Sequence, residues 1–245
     1  QLILSFDREI LYERLIEKIC DTNNVSVVQT EPRKLGDKMC VPFGSILNGQ
    51  IVPNTVTKSM HTEKMFKPNI ESFNIGPFPY YMNLENQIRM LRYFNRPVIL
   101  VDDLLNKGYR VKAIDPIIKD KHLKVEKIIV GILSGRGKEL MDIQNRDVDS
   151  AYFIPNLKVW FNENALYPFV GGDTVWRGYF PERNLLPSVN FVLPYASPSF
   201  IKETTNDSLY ELSETCINNS IDIITTLEKE YRILHERNLT LKHLG

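Results

Sequence analysis

Hydrophobic positions along the chain change period several times, and each change marks a predicted element. Tyr12, Leu15, Ile16 and Ile19 recur at helical spacing behind Asp7, a side chain suited to capping a helix start. The cluster Asp21-Thr22-Asn23-Asn24 then stops that helix. Val25-Ser26-Val27-Val28 reads as a short strand, and residues 31–79, rich in Pro, Gly, Asn and Lys, read as loops and hairpins. Asn83 is placed to cap a second helix carrying Leu84, Ile88 and Leu91 on one face, which Asn95-Arg96-Pro97 ends.

The middle of the chain carries the clearest pattern. Pro97 to Val101 is a continuous apolar run, the signature of a strand buried on both faces of a parallel sheet. A helix from about Gly108 to His122 follows, with Val111, Ile114, Ile117 and Ile118 at spacings of three and four and a kink or a shortening expected at Pro116. Lys127 to Leu133 is a second buried strand. Together they form a strand-helix-strand unit with a right-handed crossover, so the expected class is α/β, a parallel sheet flanked by helices. Ser134-Gly135-Arg136-Gly137 opens another short helix, and Ala151 to Ile154 and Lys158 to Phe161 read as two further strands. Tyr167 to Pro198, dense in aromatics and prolines, reads as an irregular cover. From Asp207 a long helix carries Ile217, Ile224, Leu227, Tyr231 and Leu234 in a heptad-like seam. The expected organisation is an α/β domain over 1–200 and a C-terminal helical extension over 201–245.

Composition adds limits. With 43% hydrophobic and 24% charged residues, 245 residues suffice for one large domain or two small ones, and disorder is excluded. Thirty basic and thirty acidic residues cancel. The whole-chain field therefore steers toward neither nucleic acid nor an anionic membrane. No apolar stretch reaches the roughly 20 residues of a membrane-spanning helix, so a soluble protein is expected. Cys20, Cys40 and Cys216 lie far apart and leave an odd thiol under any pairing, which reads as reduced, cytoplasmic usage. Gln1 in first position and the absence of a leader suggest a fragment of a longer chain.

The chemistry concentrates after the first buried strand. In Val98 to Arg110, the carboxylates Asp102 and Asp103 fall where the strand is expected to end, and Gly108 where the next helix begins. In an open α/β sheet that edge is where ligands bind. The helix N-terminus at Gly108 and Tyr109, with Lys107 and Arg110, favours an anion. The two carboxylates favour hydroxyl groups or a hydrated divalent cation. A phosphate beside a polyol describes a sugar phosphate. From Asn106 to Leu140, nine Lys and Arg face four Asp and Glu, a local basic excess in a neutral chain.

This stretch resembles the phosphoribosyl pyrophosphate motif of the type I phosphoribosyltransferase family: an apolar strand, two acidic residues, two apolar ones, a variable one, then Thr-Gly-variable-Thr or Ser. The resemblance covers roughly Pro97 to Leu133. It implies a type I phosphoribosyltransferase-like fold, Asp102 and Asp103 facing ribose hydroxyls, and Asn106, Lys107, Gly108, Tyr109 and Arg110 wrapping the 5-phosphate. It also implies magnesium held mainly by the ligand's own hydroxyls and pyrophosphate. Lys107 and Arg110 stand where the family has hydroxyl residues, and charge can substitute for them at a phosphate. Cys40 to Ser45 lies where that family has its pyrophosphate loop but lacks a glycine pair and a basic partner. Val56 to Lys64 corresponds to its mobile loop, with Lys58 or Lys64 as an anion contact.

Each sharper reading has a plainer counterpart. Asp102 and Asp103 could form an acidic turn capping the next helix. Arg136 is either a contact to a base or phosphate or a solvated arginine on a tight turn. Gly171-Gly172 is read as a turn, and Tyr167, Phe169, Trp176, Tyr179 and Phe180 as cover over a core. His61, His122, His235 and His243 show no informative spacing, and no thiol has the basic context of a nucleophile. The terminal seam packs on its own domain, with a homodimer or a flanking domain as alternatives. Two functions follow: transfer from phosphoribosyl pyrophosphate to a base, or a non-catalytic ligand-sensing or regulatory module of a larger protein. Either would have a phosphorylated ribose or nucleotide as ligand.

Overall fold

The computed structural model describes residues 4–67, 72–78, 81–160 and 205–240. The expected cover over Tyr167 to Pro198, with its glycine pair, and His243 lie outside them. The chain divides into two compact units, residues 1–64 with 75–159, and residues 65–74 with 160–245.

The first unit is an α/β layer structure. Helix α1 (Arg8–Thr22) starts where the sequence places it, because the Asp7 side chain accepts from Glu9 N at 2.7 Å and Ile10 N at 3.2 Å. Strands β1 (Met39–Pro42), β2 (Val56–Thr57), β5 (Val98–Leu105), β6 (Val125–Ser134) and β7 (Val148–Ile154) form one sheet in the order β2-β1-β5-β6-β7. Every pairing in it is parallel. Helices α2 (Leu84–Arg92), α3 (Tyr109–Asp120) and α4 (Gly135–Ile143) complete the unit. Strands β3 (Thr62–Phe66) and β4 (Phe73–Pro77) pair separately as a two-stranded sheet.

Strand alternation splits the core in two. Val98, Leu100, Ile128 and Val130 pack with Leu84, Ile88 and Leu91 of α2, Val111, Ile114 and Ile118 of α3, and Met141 of α4. Their neighbours Ile99, Val101 and Ile129 pack with Leu15, Ile16 and Ile19 of α1 and with Ile46, Leu47 and Val52 of the β1–β2 connection. Burial of each such side chain contributes about 1.5–3 kcal/mol, so both faces of the sheet must be covered.

Several expectations are corrected. Val25 to Val28 forms no strand, because the Asn54 side-chain amide donates to the Ser26 and Val28 carbonyls at 2.9 and 2.8 Å, replacing a ladder. The fully buried strand β1 instead lies within the segment read as loops and hairpins. Val56 to Lys64 is not a loop: it holds β2 and the start of β3. Helix α3 is not shortened at Pro116 but runs on to Asp120, held by Val111, Ile114 and Ile118 on either side of the proline. Lys158 to Trp160 form no strand; Phe161 is beyond the described residues.

In the second unit, α5 (Asn206–His235) spans 30 residues and starts at Thr205, whose hydroxyl accepts from Ser208 N at 3.2 Å. Leu209 and Leu212 near its start are buried, whereas Leu227 and Leu234 of the seam are exposed. No helix among the described residues is long and apolar enough to cross a membrane.

Candidate functional site

Setting aside the separate β3–β4 pair, the strand order places the second strand of the sheet outside the first and every later strand on the other side. β1 and β5 therefore flank the point where the winding reverses, and in open α/β sheets ligands bind beyond the carboxyl ends of such strands. Two connections meet there: Phe43 to Ile46 after β1, and Asn106 to Gly108 between β5 and α3.

Strand β5 runs four residues beyond the expected Val101, through Leu105, because β6 is long enough to pair with it there, Asp102 opposite Val130 and Leu104 opposite Ile132. Asp102 and Asp103 are thus strand residues rather than turn residues, and the pleat sends adjacent side chains to opposite faces of the sheet. Asp102, in phase with Val98 and Leu100, is 5% exposed. Its Oδ1 accepts from Arg110 Nη1 at 2.9 Å and from the Asp103 amide at 2.9 Å. Asp103, in phase with Ile99 and Val101, reaches the other connection: its carboxylate accepts from Ser45 N and Ser45 Oγ, both at 2.6 Å, and from Ile46 N at 2.9 Å. The two acids therefore do different work, one pairing with the first turn of α3 and the other tying the β1 and β5 connections together.

Burial pushes the Asp102 carboxyl up to about 6, against the opposing pull of Arg110. Glu63 on β3, 6% exposed, is also raised by burial. Lys64 is lowered by burial and by Arg110. The Arg110 guanidinium is raised because Asp102, Asp103 and Glu63 outweigh its desolvation, yet its Nε is buried without a hydrogen-bond partner among the described residues. Glu63 went unread in the sequence: one acid in a lysine-bearing five-residue strand carries no motif, and only the fold brings it within the field of Arg110.

The remaining candidates gather at the β5–α3 turn. Asn106 Oδ1 accepts from Ser134 Oγ at 2.9 Å, linking this turn to the start of α4, where Ser134 Oγ also accepts from Gly137 N at 3.0 Å. Lys107 is exposed. Gly108 caps α3 with φ 67°, a left-handed conformation that glycine adopts without strain, and it brings no side chain to the first helical turn. A Cβ there would overlap the Leu140 side chain. Tyr109 is 47% exposed, and Arg136, in the first turn of α4, is exposed. The structure thus brings Asp102, Asn106 to Arg110 and the α4 start to one end of the sheet. Asp103 joins them from the opposite face.

As direct ligands for magnesium the two carboxylates are poorly suited, because the Asp103 oxygens are engaged by three protein donors and Asp102 by a guanidinium; the ion that the resemblance implies rests mainly on the ligand's own oxygens. Among the described residues no group of three or more His, Cys, Asp or Glu is arranged to hold a metal ion. The thiols Cys20 and Cys40 are buried, and burial raises both above the ordinary thiol range.

The architecture is a parallel, two-faced α/β sheet with its reversal at β1 and β5. No family model and no curated protein matches the chain. Among solved structures it is similar to an adenine phosphoribosyltransferase from Thermoanaerobacter pseudethanolicus, at 13% identity and TM-score 0.32, covering 58% of this chain and 80% of that one. It is also similar to a hypoxanthine-guanine phosphoribosyltransferase from Bacillus anthracis, at 12% identity and TM-score 0.35, covering 64% and 84%. A purine phosphoribosyltransferase from Pyrococcus horikoshii follows, at 14% identity and TM-score 0.32, covering 62% and 94%. The fold class itself rests on strand order and register.

Proposed function

We propose that the end of the sheet at β1 and β5 binds a phosphorylated ribose or a related sugar phosphate or nucleotide. In this reading Lys107 and the first-turn N–H groups of α3 take the phosphate, Asn106 and Arg136 flank it, and Asp102, Asp103, Tyr109 and Arg110 complete the surround. The observation that carries it is the α3 start, a left-handed glycine without a side-chain cap beside an exposed lysine at the winding reversal. Orphan N–H groups and the positive helix end favour an anion there. Transfer of the phosphoribosyl group to a base is the enzymatic form of this function. A specific observation favours the second form, binding without transfer in a regulatory or sensing module: both carboxylates are engaged within the protein, Asp102 by Arg110 and Asp103 by Ser45 and Ile46.

Calorimetry with phosphoribosyl pyrophosphate and ribose 5-phosphate, each with and without magnesium, tests the binding. Lys107→Ala should weaken it at least fivefold. Pyrophosphate release with any of the common nucleobases would establish transfer, and heat of binding without release would establish the sensing form. Absence of heat with both ligands in either buffer would remove the proposal.

A further inference from the structure

At the opposite end of the same sheet the C-terminal ends of α2 and α3 border an open groove of about 510 Å³ lined by Arg89, Arg92, Tyr93, Asn95 and Lys121. Its walls follow from local sequence. Leu84, Ile88 and Leu91 bind α2 to the core, so Arg89 and Arg92, three apart, share a face turned away from it. Tyr93 ends the helix with its side chain 82% exposed. Asn95, at φ 49°, then turns the chain into β5. Neither arginine has an ion pair among the described residues, whereas Lys121 pairs with Asp120 at 2.6 Å.

Cations near helix C-termini have a plain explanation, since they complement the partial negative charge there. That explanation is insufficient here. Each helix end supplies about half a negative charge, so two ends and Asp120 leave the three cations of this groove in excess. The plain account also leaves the bare tyrosine ring unexplained. Guanidinium groups bind phosphate through paired donors, and an open aromatic face stacks on a planar base.

We propose that this groove is a second anion site that takes a nucleoside polyphosphate, its phosphates on Arg89, Arg92 and Lys121 and its base on Tyr93. The eight residues of β5 separate it from the β5–α3 turn, roughly 26 Å at about 3.3 Å per strand residue. The two sites are therefore independent, and one ligand of nucleotide size cannot span them.

The test is calorimetric titration of the whole chain with ATP in buffer without divalent cations, with the β5–α3 site held saturated by ribose 5-phosphate. The expected result is saturable binding of one ATP, weakened more than tenfold by Arg89→Ala with Arg92→Ala and at least threefold by Tyr93→Ala. Inorganic tripolyphosphate should bind more weakly than ATP. Should the double alanine variant lose its far-ultraviolet circular dichroism, Arg89→Lys with Arg92→Lys, which keeps charge and removes the paired donors, must still weaken ATP. No saturable heat would overturn the proposal, as would an affinity unchanged in the double alanine variant. Equal affinity for tripolyphosphate would refute the role of Tyr93, and tighter binding of a twelve-nucleotide single-stranded RNA would reassign the groove to nucleic acid.

Discussion

Asp103→Ala is the most informative single change, because one carboxylate ties the β1 and β5 connections together. It removes three hydrogen bonds, from Ser45 N and Oγ at 2.6 Å each and from Ile46 N at 2.9 Å. Bonds to a charged acceptor are worth about 1.5–3 kcal/mol each where buried. The Ser45 pair is exposed and its donors turn to water, so those two are discounted to about 0.5–1 kcal/mol each. With the partly buried Ile46 bond retaining its full value, the total is about 2.5–5 kcal/mol. With a urea dependence of about 2 kcal/mol/M, the midpoint of unfolding should fall by about 1.2–2.5 M. Amide hydrogen exchange reads the same event locally: Ser45 and Ile46 should exchange at least tenfold faster, and Ile129 in the middle of β6 should also speed up as global stability falls, whereas an unchanged Ile129 would confine the loss to the loop. Asp103→Asn, which keeps one acceptor oxygen, should fall between. A midpoint within 0.3 M of the parent, with unchanged exchange at Ile46, would refute the view that Asp103 braces this end of the sheet.

Other outcomes follow from the same geometry. The Asp102 carboxyl rises from 3.8 to about 6 on folding. Its contribution is therefore fully present below pH 4 and is lost as pH rises through 6, a change of about 3 kcal/mol. The stability of the parent minus that of Asp102→Asn should fall by about this amount between pH 4 and 7 in denaturant titrations, and a flat difference would contradict it. Gly137→Ala places a methyl group against the Leu105 carbonyl oxygen. Because backbone yields less readily than a side chain, thermal denaturation should show a loss of about 1–3 kcal/mol, and an unchanged midpoint would show that α4 has room to shift. Asp115 is raised by burial but held below the ordinary carboxylate range by Lys119 and Arg146. Its contribution is present above pH 4 and lost as pH falls, so Asp115→Asn should destabilise at pH 7 and matter less near pH 3.

Much of the frame was legible in the sequence because it depends on local rules. The Asp7 and Asn83 caps, the apolar runs that became β5 and β6, the helix between them and the long helix after Asp207 each follow from capping chemistry or hydrophobic period acting over a few residues. What only the tertiary structure decided was pairing. Strand β1 is four residues in a segment full of turn formers, and it becomes a central strand because β2 and β5 lie on either side of it. Val25 to Val28 has strand composition but loses its carbonyls to Asn54, a residue twenty-six positions beyond Val28. The acids Asp102 and Asp103 look equivalent on paper. Extension of β5 along β6 puts them into the pleat, and alternation then gives one to Arg110 and the other to Ser45 and Ile46. Periodicity reports which residues can be buried, while the partner that buries or bonds them is set by contacts across the sheet that no local window contains.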